Sequence, residues 1–441
     1  MKLITPPPGA IAEVLDFRNA HSKTYDFGNG KRRLIHRITP VHFPHPTTQA
    51  WEDIDTAFVS LGGNKLGITQ AWYDLSINGR VGGNTLPTLT YTGKRGGIVD
   101  ITLLAINDTP IGNLPTNLRP RLVDDDKLRW DDFVPGLDMF IQLRPTSIEI
   151  FKVVKSASAP RSLTWRIVDT PSSPVSVQQA SRAIDHAGDP DLTVRREARM
   201  LTTITPEASP APGRRAYTYR EEFTGETLVE NPVTRVKEVR PSAETVYPVR
   251  IDVQVLEDIT TNNDDGNDHT TYNWRDTTYV TAWSLNDRRP GFRFQSVAVP
   301  QGATIDDPTE ITFKVISADG NIPTGTLFYG YDTDSAAAFS STVHPAVLAV
   351  TTATATIGSS LTSTGTKTLS IKSIVQEIVN RGGWASGNHM AFFTASITAG
   401  VAGIDALNYH PATSADLEIN YTAGGGTFPQ PKLFLLLGVG G

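Results

Sequence analysis

Oxygen-bearing side chains crowd two short stretches of this 441-residue chain. Asn262-Asn-Asp-Asp-Gly-Asn-Asp268 sets Asp264, Asp265 and Asp268 close together around a glycine. A calcium ion takes about six to eight oxygens, and carboxylates at this spacing are what a calcium loop needs. Asx-Gly runs are also ordinary turn chemistry. Asp124-Asp-Asp126 lies near Asp131 and Asp132. Carboxylates grouped in this way could hold calcium or divide acid and base roles, but the spacing fits no EF-hand loop, and a solvated turn accounts for them equally. His36, His42 and His45 invite a zinc reading. The prolines among them leave the geometry arbitrary and no fourth ligand is evident, so they read as loop histidines.

Tyr272, Trp274, Tyr279 and Trp283 form an aromatic group. On an open sheet face, Tyr272 and Trp274 would be the residues to stack on a sugar ring; a core or subunit face explains them as well. No serine has nucleophile-elbow context, and no glycine-rich loop joins a strand to a helix. The expectation is therefore a non-enzymatic protein without a cofactor, calcium being the one ion to consider. With no cysteine in the chain, disulfides, thiolate metal sites and thiol nucleophiles are excluded. A net charge of −6 argues against a nucleic-acid partner. No apolar run approaches the ~20 residues that cross a bilayer, so no membrane partner is expected. MKLITPPPGAIAEV has no signal-like apolar core. On that reading the chain stays in the cytoplasm or leaves inside a larger assembly.

Positioning these residues falls to strands. With 39% hydrophobic and 20% charged residues, the chain is an ordered globular protein with room for two or three domains. Asn29-Gly30 marks a hairpin turn. Ile148 and Ile150 alternate with polar neighbours, as do Leu163, Trp165 and Ile167. Further alternating stretches are Ile251–Leu256, Thr278–Trp283, Gly291–Val297, Glu310–Ile316, Thr326–Tyr331, Lys367–Ile371, Met390–Ile397 and Leu417–Tyr421. The expected plan is all-β, with two β-sandwich domains. An extended arm occupies 1–13 and an N-terminal sandwich 14–245, with a Pro/Ser-rich excursion near 171–212 that includes a short helix around Val177–His186. A jelly-roll-like sandwich occupies 246–423, and a glycine linker with an apolar tail 424–441. Ile371, Ile374, Val375, Ile378 and Val379 predict one amphipathic helix that plugs an end of the second sandwich. Ser373 and Gln376 suggest its capping box, and Gly382-Gly383 its end. Leu433, Phe434, Leu435, Leu436 and Leu437 should not stay in water. They either fold back on the chain's own core or dock into a neighbouring subunit, for instance as an added strand.

Phe292-Arg-Phe-Gln-Ser-Val-Ala-Val-Pro-Gln-Gly-Ala-Thr-Ile305, IVQEIVNRGGWASGN at 374–388 and LEINY at 417–421 together resemble the DNRLRE-type β-sandwich module. The hexapeptide behind that name is absent; Asn286-Asp-Arg-Arg289 and Phe292-Arg-Phe294 approximate it. Residues 22–31, 40–43, 51–55, 130–138 and 159–163 are similar to the β domain that often precedes the module. Such modules occur in tailed-phage virion proteins and in bacterial surface proteins. The resemblance implies a structural virion protein on a tail, a fibre or the capsid surface, made in the host cytoplasm. Its partners would be other virion proteins and copies of itself in a homo-oligomer, and a host-surface glycan where it attaches. The alternative it implies is an extracellular carbohydrate-binding or adhesion module.

Overall fold

The computed structural model describes residues 4–63, 65–78, 88–94, 96–113, 120–170, 175–183, 196–208, 210–230, 237–240, 249–257, 265–269, 273–275, 280–282, 289–317, 326–357, 365–394, 402–405 and 415–423. Within these, 78, 112, 202 and 365 and the strands lying in 175–200, 227–282, 314–317 and 402–405 are described by backbone alone. The architecture is all-β, with one α-helix among the described residues.

Two compact units divide the chain. One is Phe43–Thr261; the other joins Lys2–His42 to Asn262–Gly441. The first unit is thus inserted, in sequence, between an N-terminal hairpin and the rest of the second. This differs from the expected division at 13, 245 and 423 at both ends of the first domain. Lys31–Arg37 pairs with Asp416–Thr422 from Lys31↔Thr422 to Arg37↔Asp416. Val249–Glu257, expected to open the second domain, pairs instead with Ser147–Val154 from Val154↔Val249 to Ser147↔Leu256. Alternation of side chains specifies a strand and its buried face, but not which distant strand lies beside it.

In the first unit, a ten-stranded sheet runs Arg196–Pro206, Arg215–Glu230, Ser162–Asp169, Ile98–Ile106, Thr88–Gly93, Tyr73–Asn78, Lys65–Ile68, Val59–Gly62, with two further strands paired off this path. A six-stranded sheet runs Arg121–Asp124, Lys127–Val134, Leu137–Leu143, Ser147–Val154, Val249–Glu257, Val175–Ala183. Two tyrosines tie the sheets together. The Tyr73 hydroxyl donates to the carbonyls of Arg144 (2.8 Å) and Ser147 (2.9 Å), and the Tyr91 hydroxyl to that of Thr146 at 3.0 Å. Where a short helix was expected around 177–186, Val175–Ala183 is a strand, paired from Val175↔Glu257 onward. Its Val-Ser-Val start suits a sheet, and the ladder with Val249–Glu257 outweighs local helix propensity.

The second unit also has two sheets. Ala12–Glu13, Ser22–Gly28, Lys31–Arg37, Asp416–Thr422, Thr304–Ser317, Ala402–Asp405 and Val280–Ala282 follow one another in the first, with Gly365–Ser370 added to Thr304–Ser317. Asn273–Arg275, Asp265–His269, Pro290–Phe294, Met390–Thr394, Leu327–Tyr331 and Val350–Thr356 form the second. Every strand expected from alternation beyond residue 250 is present. The expected N-terminal arm is partly built in: Ala12 pairs with Asp26, and Ile4 is buried against Tyr25 and Val41.

Candidate functional site

The polar groups of the helix and of the turn after it are spent on holding neighbouring backbone and on ion pairs. Lys372–Val379 buries Ile374, Val375, Ile378 and Val379. The expected capping box does not form: Ile371 is the N-cap, without a side-chain cap. Gln376 is engaged elsewhere, donating to the Ala303 carbonyl at 2.9 Å and accepting from the Ile305 N–H at 2.8 Å. Glu377 accepts from the backbone N–H groups of Thr352 (2.8 Å) and Ala353 (2.6 Å). Trp384 Nε1 donates to the Val299 carbonyl at 2.9 Å. Arg381 pairs with Asp332 and, at 2.8 Å, with Asp334. Loop backbone beside a sandwich core needs such partners, because an unpaired buried N–H or C=O is expensive.

The acidic group at 131–138 is neutralised by cations. Asp131 sits 2.5 Å from both Arg121 Nε and Arg129 Nε. Asp132 lies 2.9 Å from Lys155 Nζ. Asp138, 2% exposed, takes Arg129 at 2.7 Å, Lys155 at 2.6 Å and the Asp132 N–H at 2.7 Å. Hydrogen bonds from Arg121 and Lys155 hold the Asp131 and Asp132 carboxyls below the usual carboxylate range. General acid–base work needs one member of a pair raised and the other left ionised. Both of these are lowered, so the arrangement suits bracing of the Lys127–Val134/Leu137–Leu143 hairpin.

The histidines do not gather. His36 is buried, stacked on His21 at 5.7 Å, edge-on to Phe294 at 5.4 Å, and bonded to the Gln295 carbonyl. Burial first, then the neighbouring His21, push its pKa down to about 3, so it is neutral at ordinary pH. His42 Nδ1 donates to the Asn19 carbonyl at 2.6 Å, and His45 Nδ1 accepts from the N–H groups of Thr47 and Thr48 at 3.2 Å. Among the described residues, no group of three His, Asp, Glu or Cys side chains could hold a metal ion.

Several expected site residues lie outside the described residues: Asp264, Tyr272 and the whole 433–437 tail. Asp265 and Asp268 belong to the strand Asp265–His269, whose backbone pairs with Pro290–Phe294 on one side and Asn273–Arg275 on the other. Trp274 stands opposite Asp268 on that last strand, at the edge of its sheet.

No family model, curated protein or solved structure matches the chain.

One cluster escaped the sequence reading. Lys152 is 1% exposed and Glu221 2% exposed, and Lys152 Nζ meets Glu221 Oε1. Trp165 Nε1 donates to the same Oε1 at 2.8 Å. The Lys–Glu contact is an ion pair without the alignment of a hydrogen bond, and Lys152 Nζ has no hydrogen-bond partner besides it among the described residues. The signal was available in strand parity. Ile148, Ile150, Lys152 and Val154 share one face, and Tyr219, Glu221 and Phe223 another, so each apolar row carries one charge.

Proposed function

We propose that this chain is a non-enzymatic structural protein of a tailed-phage virion, placed on the tail, a fibre or the capsid surface and serving assembly and attachment. One observation carries the reading. The three segments that resemble the DNRLRE-type module, far apart in sequence, meet in a single core: Phe292, Phe294 and Val299 from the first, Ile374, Ile378 and Trp384 from the second, Leu417, Ile419 and Tyr421 from the third. The pattern that resembles the module is thus the pattern that builds the sandwich, and its polar residues serve backbone. A scaffold of this type acts by presenting surfaces and termini to neighbours, here copies of itself and other virion proteins. The apolar Leu433–Leu437 stretch is the segment suited to that docking.

Light scattering on the purified full-length chain and on a chain ending at Ala423 tests this. A defined oligomer that becomes a monomer on truncation is expected. Two monomers would overturn the assembly reading. Glycan binding by the full chain, abolished in Trp274→Ala, would favour the carbohydrate-binding alternative.

A further inference from the structure

We propose that Lys152 and Glu221 condense to an amide, a covalent cross-link between the two sheets of the first unit. Lys152 lies on Ser147–Val154 in the six-stranded sheet, and Glu221 on Arg215–Glu230 in the ten-stranded sheet. Facing sheets pack about 10 Å apart, a gap that one lysine and one glutamate in opposition fill.

Left as ions, the pair is a poor solution to burial. An ammonium group carries three donors, and here none has an aligned acceptor among the described residues. Coulomb attraction in a dry interior repays desolvation only when the remaining donors are bonded. Condensation removes both charges and two of the three N–H bonds. What remains is one amide N–H and one carbonyl, and the carbonyl already has a donor in Trp165 Nε1.

The chemistry balances within the cluster. Proton transfer inside the pair gives an amine and a carboxylic acid. The amine lone pair adds to Glu221 Cδ and forms the C–N bond, while the C=O π electrons move onto oxygen. Trp165 Nε1–H, 2.8 Å from Oε1, is placed to donate to that oxyanion. Collapse expels hydroxide, which leaves as water with the proton lost from nitrogen. No oxidant or co-reactant is required. In bulk water, hydration of the separated ions favours hydrolysis; at 1% and 2% exposure that drive is missing. Fixed opposition of the two groups supplies the proximity that a slow condensation needs. In a chain without cysteine, it is also a covalent tie that needs no disulfide.

The test is the mass of the denatured full-length protein and of its proteolytic peptides. A deficit of one water is expected, confined to a branched peptide joining the residue-152 and residue-221 segments. A residue-152 peptide and a residue-221 peptide recovered separately at their unmodified masses overturn the proposal. Lys152→Met should abolish the deficit. Glu221→Gln should change the leaving group, so that the deficit becomes one ammonia, a signature that an ion pair or hydrogen bond cannot give. Trp165→Phe should lower the cross-linked fraction. Because the readout is mass, it is independent of oligomeric state and of the proposed virion role.

Discussion

Leu34 and Ile419 stand directly opposite each other in the ladder between Lys31–Arg37 and Asp416–Thr422, and both are completely buried. The hairpin at the N-terminal end is therefore a structural part of the second unit. Leu34→Ala should destabilise that unit by about 2–5 kcal/mol, the range for a large-to-small change in a packed core. A chain starting at Asn262 should fail outright, because Asp416–Thr422 would become a bare sheet edge above an open core. Denaturant unfolding of the variant and limited proteolysis of the shortened chain measure this. Cooperative unfolding of the 262–441 fragment by itself would sink the claim.

Acid sensitivity should centre on His36. Its folded pKa of about 3 lies below the ordinary value of 6.5, so the unfolded chain binds the extra proton between those limits. Stability then falls as pH drops from about 6.5 toward 3, by up to ~1.4 kcal/mol per pH unit, and is flat above. Asp416 runs the other way, pushed up to about 6 chiefly by burial. Its side chain is nonetheless 42% exposed beside Arg37, which argues for a smaller rise and a damped opposing slope. Chemical denaturation across pH 4–8 should show a steep acid limb that His36→Gln flattens. An unchanged slope in that variant would remove His36 as the cause.

The helix leaves no room above Gly330. A Cβ built there would lie 2.6 Å from Ile374 Cγ2 and 2.9 Å from Ile378 Cδ1, both inside the core. Gly330→Ala should therefore cost about 1–3 kcal/mol by overpacking. Ile378→Val should recover part of that loss by removing the Cδ1 that faces the added methyl. If Gly330→Ala melts with the parent, the helix is not seated on Leu327–Tyr331 as described.

How much of this was readable follows from the range of each interaction. Alternation is local, so the strands from Pro290–Phe294 to Asp416–Thr422 and the helix face at Ile374–Val379 were legible. Pairing is not local. Arg33 bonds Asn420 across 387 residues, and nothing near Arg33 encodes that choice. The expected helix near 177–186 failed for the same reason, since its partner strand begins at Val249. Gln376 misled in another way: its spacing from Ser373 fits a cap, while the backbone around Ala303 claims it. Lys152 and Glu221 were legible as charges on apolar rows, yet only the facing of two sheets makes them a pair.

The acidic group near Asp132 gives a final contrast. Asp131 and Asp132 are exposed and held ionised by Arg121 and Lys155. Asp131→Asn and Asp132→Asn should leave stability near that of the parent, because exposed pairs gain little over hydrated ions. Asp138 is different. It is the buried acceptor on which Arg129, Lys155 and the Asp132 N–H converge. Asp132 also adopts a positive φ of 44°, and the N–H bond to Asp138 helps hold it there. Asp138→Ala should take from Arg129 and Lys155 their shared buried partner, leaving them Asp131 and Asp132, and should orphan that N–H. The loss expected is about 3 kcal/mol, the low end for breaking a buried pair, because Arg129 and Lys155 are 29% and 35% exposed and can rehydrate. Denaturant titration of the three variants side by side decides it. Equal losses at all three positions would mean that the exposed carboxylates, not Asp138, brace the hairpin.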